Sequence, residues 1–359
     1  MKAVSDIIKS RCLSGFRANQ QGHLGGYHVQ VLENAFCFYF NTKYAVAMNS
    51  ATSCLHAAMI ACGIRPVDKV IVTPYSFVSS ASCVLMVNGE PVFTDIKADT
   101  FCMDINSVGF SPFHTKAIIP VHLMGHPAEM DEIMPVARAL ELKVVEDCSQ
   151  AIGAIYHGKK AGTIGDCGVF SFNQSKHINT GEGGILITND NHIAEVARAV
   201  RNHAEISCPE MKMIGYNYRM CEIEAAMALE QFKGLDKDLE YRNELAAYMS
   251  EKLSQIEGLI PPVIKDDCTH SFYTYGVKYF RQDMHRNQFQ HKLINQGIYF
   301  GEGYVKPIYQ LPVFYTPNLY RPVVERMYRD CLMVTDIIKH PLTRQDIDTI
   351  VEAINQILS

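Results

Sequence analysis

Three segments of this 359-residue sequence place polar or reactive side chains directly after short apolar runs. The small residues Ala51 and Thr52 follow the first run. Asp147 and Gln150 follow the second, and Lys176 follows the third. Small residues at a helix start let backbone N–H groups approach an anion, which the helix dipole also attracts. A lysine amine held away from water gives up its proton more readily and can then attack a carbonyl carbon.

Each segment also has an ordinary explanation: a helix N-cap, an acid that caps a helix, and a solvated surface lysine. An acid that leaves an apolar strand is costly to bury alone, so Asp147 should have a cationic partner. Together, the three segments supply a phosphate-binding turn, a carboxylate and an amine, which are the groups needed to hold pyridoxal phosphate. The sequence has no GxxxxGK[ST] motif, and the glycine-rich stretch at 162–168 precedes a strand, which indicates a turn.

The elements that must position these residues follow from the hydrophobic pattern. Between 43 and 189, apolar runs alternate with helical stretches, which predicts an α/β fold with a mostly parallel seven-stranded sheet flanked by helices. Ligands bind at the carboxyl ends of the strands in such sheets, where the three segments lie. The runs are Tyr44–Met48, Val70–Thr73, Pro91–Ile96, Ala117–Val121, Lys143–Val145, Gly168–Phe172 and Gly184–Thr188. The spacing predicts helices over Thr52–Cys62, with Thr52 or Ser53 near its start, Met130–Leu140 and Ile193–Asn202.

The second half of the sequence has an α+β pattern. We expect residues 1–238 to form a large cofactor-binding α/β domain and residues 239–359 a smaller C-terminal α+β domain, on which the N-terminal segment could pack. Thr343 and Asp346 resemble a capping box at the start of the last helix. The other elements predicted here are helices over Cys221–Gln231, Leu239–Ile256 and Arg286–Asn295 and a strand within 271–280.

The composition argues against several classes of protein. Lys+Arg 33 against Asp+Glu 38 gives a net charge of −5 without a basic cluster, so we expect neither nucleic-acid nor membrane binding. The twelve cysteines form no CxxC pair, so we expect no metal site or disulfide framework and infer a reducing compartment. Since no apolar run approaches 18 residues and no hydrophobic leader is present, we expect a cytoplasmic protein.

The sequence resembles the DegT/DnrJ/StrS family of sugar aminotransferases, which belong to the aspartate aminotransferase-like fold type I of pyridoxal-phosphate enzymes. The matching segments keep the family's order and spacing over about residues 40–235. They are YAVAMNSATSCLHAA (44–58), VIVTPYSFVSSA (70–81), AIIPVHLMGHPAEMDEI (117–133), VVEDCSQAIGA (144–154), GDCGVFSFNQSKHINTGEGG (165–184) and GYNYRMCEIEAAMAL (215–229).

The resemblance implies a role for each matching site residue. Lys176 would bond covalently to the cofactor and carry protons, Asp147 would pair with the pyridinium nitrogen, and Gln150 would contact the ring hydroxyl. Phe77 would stack on the cofactor ring, and Asn217 would reach the phosphate in the neighbouring subunit, which implies a homodimer with shared sites. The phosphate would bind to the backbone of Ala51 and Thr52 and to the Ser171 hydroxyl.

Two positions depart from the family pattern. The TPYSFV segment is one residue shorter than is common, so Tyr75 rivals Phe77 for the stacking role, and core packing is a further alternative for Phe77. Tyr304 stands where histidine is frequent, so substrate contacts there could differ. A branch of the family has histidine in place of the lysine and performs dehydration, whereas Lys176 favours transamination.

Four other residues keep two interpretations each. His122 and His126 could face substrate or be buried structural histidines. His177 could tune Lys176 or point away from it. Arg219 could bind a substrate anion or support a dimer.

The implied reaction is a pyridoxal-phosphate-dependent transamination, with pyridoxamine phosphate as the second cofactor form. An amino acid, expected to be L-glutamate, would donate its amine to a keto-sugar, most simply one linked to a nucleotide. Such a reaction serves amino-sugar, polysaccharide or lipopolysaccharide biosynthesis. The alternatives are transfer to a cyclitol or another cyclic ketone, and a catalytically silent regulator that keeps the fold.

Overall fold

The computed structural model describes residues 2–17, 23–108, 114–204 and 213–359. Its strands are β1 (Tyr44–Met48), β2 (Lys69–Val72), β3 (Glu90–Phe93), β4 (Asp95–Ile96), β5 (Met103–Asp104), β6 (Thr115–Ile119), β7 (Lys143–Asp147), β8 (Ile155–Tyr156), β9 (Lys159–Lys160), β10 (Cys167–Ser171), β11 (Gly184–Thr188), β12 (Leu259–Ile260), β13 (Tyr275–Tyr279), β14 (Gly301–Glu302) and β15 (Leu332–Thr335). Its α-helices are α1 (Lys2–Ser10), α2 (Tyr27–Phe40), α3 (Ala51–Ala61), α4 (Ser79–Leu85), α5 (Met130–Ala139), α6 (Asn191–Arg201), α7 (Glu222–Phe232), α8 (Leu235–Leu253), α9 (Arg286–Asn295), α10 (Pro322–Arg326) and α11 (Arg344–Leu358).

A seven-stranded sheet forms the centre of the first part of the chain. Its strand order is β1-β11-β10-β7-β6-β2-β3, and within it only β11 runs antiparallel to its neighbours. All five residues of β11 are buried, as are the last four of β7, because helices cover both faces of the sheet. The predicted mostly parallel α/β fold is confirmed.

Two local predictions in this part need correction. The run Pro91–Ile96 is not one strand: β3 ends at Phe93 and β4 pairs with β5 instead. Helix α3 begins at Ala51 rather than Thr52 and has Ser50 as its cap, while Thr52 and Ser53 lie near its start as predicted. The extended backbone of Ser50 lets its hydroxyl accept a hydrogen bond from the Ser53 N–H at 3.0 Å, so the helix begins one residue earlier.

The C-terminal part contains a four-stranded antiparallel sheet of order β12-β13-β15-β14 with its own hydrophobic cluster. Helix α8 begins at Leu235, so it runs through the predicted domain boundary near 238. The capping box of α11 is present: the Thr343 hydroxyl accepts from the Asp346 N–H at 3.2 Å, and the Asp346 carboxylate accepts from the Thr343 N–H at 2.8 Å.

The N-terminal segment lies against the first part of the chain rather than the C-terminal part. Helix α1 packs on α7, and the Glu222 N–H donates to the Leu13 carbonyl at 3.0 Å. A fully buried Arg201 lies near this segment and pairs with Glu33 at 2.5 Å, beneath the ring of Phe16. None of the helices in the described ranges is long and apolar enough to cross a membrane.

Candidate active site

A cavity of about 440 Å³ opens at the carboxyl ends of the central strands, where residues from distant parts of the sequence meet. Seven of the eight site residues named from the sequence line it: Ala51, Thr52, Phe77, Asp147, Gln150, Ser171 and Lys176. The eighth, Asn217, does not. It is exposed, and its carbonyl accepts a hydrogen bond from the Asn49 amide at 3.4 Å.

The start of α3 forms one wall of the cavity. The backbone N–H groups of Ala51 and Thr52 have no acceptor within the part of the chain that the structure describes. Strand β11 passes close behind them, since a Cβ atom on Gly184 would lie 2.4 Å from the Ala51 nitrogen. Ser171 also lines this wall, and its hydroxyl accepts from the Asn173 N–H at 3.3 Å. Two free donors at the positive end of a helix dipole suit an anion.

Asp147 ends β7 and is only 3% exposed. One carboxylate oxygen accepts from the Ser80 hydroxyl at 2.7 Å, and the other accepts from the Ser149 N–H at 3.1 Å. Over residues 2–17, 23–108, 114–204 and 213–359, no lysine, arginine or histidine nitrogen lies within 4 Å of it. The cationic partner predicted for this acid is therefore not supplied by the described protein, which leaves a buried carboxylate facing the cavity.

The neighbouring Glu146 points to the other face of the strand and is fully buried. Its carboxylate accepts from the N–H groups of Ile164 and Gly165 at 2.7 and 2.6 Å and from Gly162 at 2.8 Å, and it pairs with His122 at 3.0 Å. The glycine-rich turn predicted at 162–168 therefore binds a carboxylate, a function that its glycines alone did not indicate.

His122, Glu146 and Cys148 lie within 4.8 Å of one another, which is close enough for a metal site. The four hydrogen bonds to Glu146 use its four lone-pair positions, so this carboxylate has no oxygen free for a metal ion. His122 is thus a buried structural histidine. His126, which is 2% exposed, has the same character because its ring contacts the Pro127 carbonyl at 2.6 Å.

Lys176 projects into the cavity from the loop after β10. The loop is held by hydrogen bonds from the Gln174 N–H to the Gly181 carbonyl at 3.0 Å and from the Lys176 N–H to the Asn173 carbonyl at 2.9 Å. His177 does not line the cavity: its Nε2 lies 2.8 Å from the Ser271 carbonyl, and burial lowers the pKa of its ring to about 4. The histidine beside Lys176 is therefore neutral near pH 7.

Gln150 and Tyr304 lie side by side in the lining of the cavity. The Gln150 side-chain oxygen accepts from the Met124 N–H at 2.7 Å, and its amide nitrogen donates to the Tyr304 hydroxyl at 2.9 Å. Tyr75 is fully buried and accepts from the Tyr304 N–H at 2.9 Å, so it is not available for stacking. Phe77 is 62% exposed at the cavity, which also rules out the core-packing alternative.

Sequence reasoning missed several lining residues. Serines 76, 79, 149 and 175 sit beside predicted site residues and could have been found from that proximity. Tyr273 and Glu182 could not, because one lies in a strand-like segment far along the chain and the other in a glycine-rich turn. Arg219 donates to the Asn202 side chain at 2.9 Å and does not line the cavity.

Comparison with known proteins places this arrangement among aminotransferases. The model of the DegT/DnrJ/EryC1/StrS aminotransferase family matches residues 10–355. GDP-perosamine synthase of Caulobacter vibrioides is 38% identical over 260 residues, which cover 70% of this chain and 69% of that protein. UDP-4-amino-4,6-dideoxy-N-acetyl-beta-L-altrosamine transaminase of Campylobacter jejuni is 31% identical over 302 residues, 81% of this chain and 79% of that protein. The X-ray structure of an aminotransferase from Psychrobacter cryohalolentis superposes with a TM-score of 0.89 at 29% identity, covering 99% of this chain and 95% of that one.

The Glu146 contacts generate a stability prediction. Replacing Glu146 with Gln puts an NH₂ group among N–H donors, so at least one donor loses its acceptor in a buried site. We expect Glu146→Gln to lower the free energy of unfolding by about 2–3 kcal/mol, measured by urea denaturation. Glu141→Gln, on the exposed turn before β7, is the matched control and should leave the transition in place. Equal stability of the two variants would contradict the structural role of Glu146.

Proposed function

This chain belongs to the DegT/DnrJ/EryC1/StrS aminotransferase family, and from that premise we propose that it moves an amino group from an amino acid to a ketone on a nucleotide-linked sugar. It is a sugar aminotransferase, and enzymes of its family depend on pyridoxal phosphate. The two relatives are named for a GDP-linked and a UDP-linked sugar, which supports a nucleotide-linked acceptor here. The proposed donor is L-glutamate, the proposed location is the cytoplasm, and the product would enter polysaccharide biosynthesis.

The residues around the cavity fit pyridoxal phosphate. The observation that carries the proposal is the buried Asp147 carboxylate, which faces the same cavity as Lys176 without a cation of its own in the described chain. A protonated pyridine nitrogen would supply that cation. The free N–H groups of Ala51 and Thr52 suit the phosphate, with Ser171 as a further donor, and the exposed face of Phe77 suits a flat aromatic ring.

When bound, pyridoxal phosphate supplies a carbonyl that can take up an amino group and a ring that withdraws electrons from the reacting carbon. Lys176 Nζ would bond to the cofactor and, once released, carry the proton between the substrate carbon and the cofactor. Asp147 would keep a proton on the ring nitrogen, and Gln150 would orient the ring through its hydroxyl.

The charges around the cavity support a homodimer with shared sites. Lys176 is the one basic residue among the described lining residues, against the two acids Asp147 and Glu182. A cofactor phosphate, a dicarboxylate donor and a nucleotide diphosphate all carry negative charge, so one lysine does not balance them. A second copy could contribute donors from the exposed segment around Asn217, in line with the role that the family resemblance gives to this residue.

Covalent labelling tests the cofactor and the lysine. We expect the purified protein with pyridoxal phosphate to show a visible absorption band that L-glutamate bleaches. In a separate sample without L-glutamate, borohydride reduction should fix the cofactor on Lys176, as read by peptide mass spectrometry. Lys176→Ala should take no label, whereas Lys160→Ala, a half-buried lysine outside the cavity, should be labelled like the unmodified chain. Label on another lysine, or on none, would overturn the proposal.

A panel of ketones tests the acceptor. We expect transfer from the glutamate-treated protein to keto-sugars on GDP, UDP or dTDP, and at least tenfold slower transfer to the same sugars without the nucleotide, because remote binding energy is lost. Faster transfer to a cyclitol ketone would favour the alternative acceptor. Absence of the band even with added pyridoxal phosphate would favour the silent regulator, whereas a band that L-glutamate does not bleach would overturn the proposed donor.

Subunit mixing tests whether Asn217 acts across a dimer. Lys176→Ala and Asn217→Asp variants should each be inactive or nearly so. After mixing and re-association, a heterodimer would contain one site with an intact lysine and an intact Asn217 from the partner. We therefore expect recovery of about a quarter of the unmodified activity, as random pairing predicts for a twofold dimer. No recovery, with heterodimers shown by native mass spectrometry, would place Asn217 in its own subunit's site or outside both.

A further inference from the structure

Tyr273 faces the Lys176 amine from the C-terminal side of the cavity. The Lys176 Nζ atom lies 3.8 Å from the centre of the Tyr273 ring, and both residues line the cavity. We propose that Tyr273 is a positioning residue that holds the Lys176 ammonium on its ring face whenever the lysine is not bonded to the cofactor. This inference rests on the proposed function, because only a lysine that is repeatedly bound and released needs such a resting position.

The backbone fixes Tyr273 in place on both sides. Before it, the Ser271 N–H donates to the Gly125 carbonyl at 3.0 Å, and the Ser271 hydroxyl donates to the Gln150 carbonyl at 2.9 Å. After it, the Thr274 N–H donates to the Met124 carbonyl at 3.2 Å. Phe272 has a φ of +49°, a conformation that a bulky residue adopts only where its surroundings impose it. The position of the ring is thus set by the fold.

The tyrosine hydroxyl restrains the ring further. It lies 3.1 Å from the Ser175 hydroxyl, on the residue next to Lys176. This contact joins the ring to the same loop that carries the amine.

Other ionisable groups around the amine are farther away or neutral. The acids that line the cavity are Asp147 and Glu182, and within the described residues no carboxylate oxygen lies within 4 Å of Nζ. His177 is neutral near pH 7, and burial raises the pKa of Tyr304, so its hydroxyl stays protonated. The aromatic face of Tyr273 is therefore the contact that favours the charged form of this amine.

A ring face suits a proton-carrying lysine better than a carboxylate would. An aromatic ring attracts an ammonium group over its face, yet more weakly than a buried ion pair does. The amine can therefore rest as an ammonium and still give up its proton to the substrate carbon. A carboxylate at the same distance would hold the proton too firmly. It would also keep the amine in an ion pair and so oppose its bonding to the cofactor.

Competitive labelling of the full-length protein without cofactor measures this effect directly. The rate at which fluorodinitrobenzene labels Lys176 is followed against pH by peptide mass spectrometry, since only the neutral amine reacts. In Tyr273→Leu the ammonium loses the ring, so we expect the midpoint of labelling to fall by roughly half to one pH unit. Tyr273→Phe keeps the ring and should keep the midpoint of the unmodified protein.

The controls separate this role from folding. Circular dichroism identifies any misfolded variant, and Tyr273→Met replaces Tyr273→Leu if that variant does not fold. Tyr299→Leu, an exposed tyrosine in the same part of the chain, should not move the midpoint. An unchanged midpoint in folded Tyr273→Leu overturns this inference alone if borohydride still fixes the cofactor on Lys176. Failure of that labelling in the unmodified protein removes the proposed function and, with it, this inference.

Discussion

Two adjacent carboxylates at the end of strand β7 set the demands that the rest of the site meets. Because successive side chains of a strand point to opposite faces, Glu146 and Asp147 enter different surroundings. Glu146 has all four lone-pair positions filled by the 162–165 turn and His122. Asp147 has only a hydroxyl and an N–H as partners in the described chain. The first acid stabilises the fold, and the second leaves its carboxyl group available to a ligand.

The other groups reach this carboxylate because of the sheet. Strands β1, β7 and β10 end at one edge, so the start of α3, Asp147 and the Lys176 loop meet without a long connection between them. The C-terminal part adds Tyr273 and Tyr304 from the other side. One cavity is thus lined by the free N–H groups at the start of α3, by Asp147, by Lys176 and by two tyrosine hydroxyls. These groups are spread over more than 250 residues of the sequence.

Much of this arrangement could be predicted because it depends on local rules. Buried runs such as Gly184–Thr188 mark strands, and a parallel sheet places its strand ends together, so Asp147 and Lys176 could be brought to one site without coordinates. The contacts of Tyr273 could not, because they depend on how a distant segment docks. The start of α3 was missed by one residue, since Ser50, Thr52 and Ser53 are all good capping residues and backbone conformation decides between them. We propose that Asn217 acts in the site of a second chain, and the position of a second chain cannot be predicted from one sequence.

The docking of residues 265–274 on the first part of the chain also determines how molecules enter the cavity. Besides the bonds at Ser271 and Thr274, the Thr269 N–H donates to the Ile155 carbonyl at 2.9 Å, and the Lys265 N–H donates to the His126 ring at 3.1 Å. Gly125 allows this close approach, since a Cβ there would lie 2.6 Å from the Ser271 hydroxyl. Swinging the C-terminal part away would break these bonds together, at a net cost of about 1 kcal/mol each. These bonds therefore disfavour opening the cavity by a hinge motion of the C-terminal part.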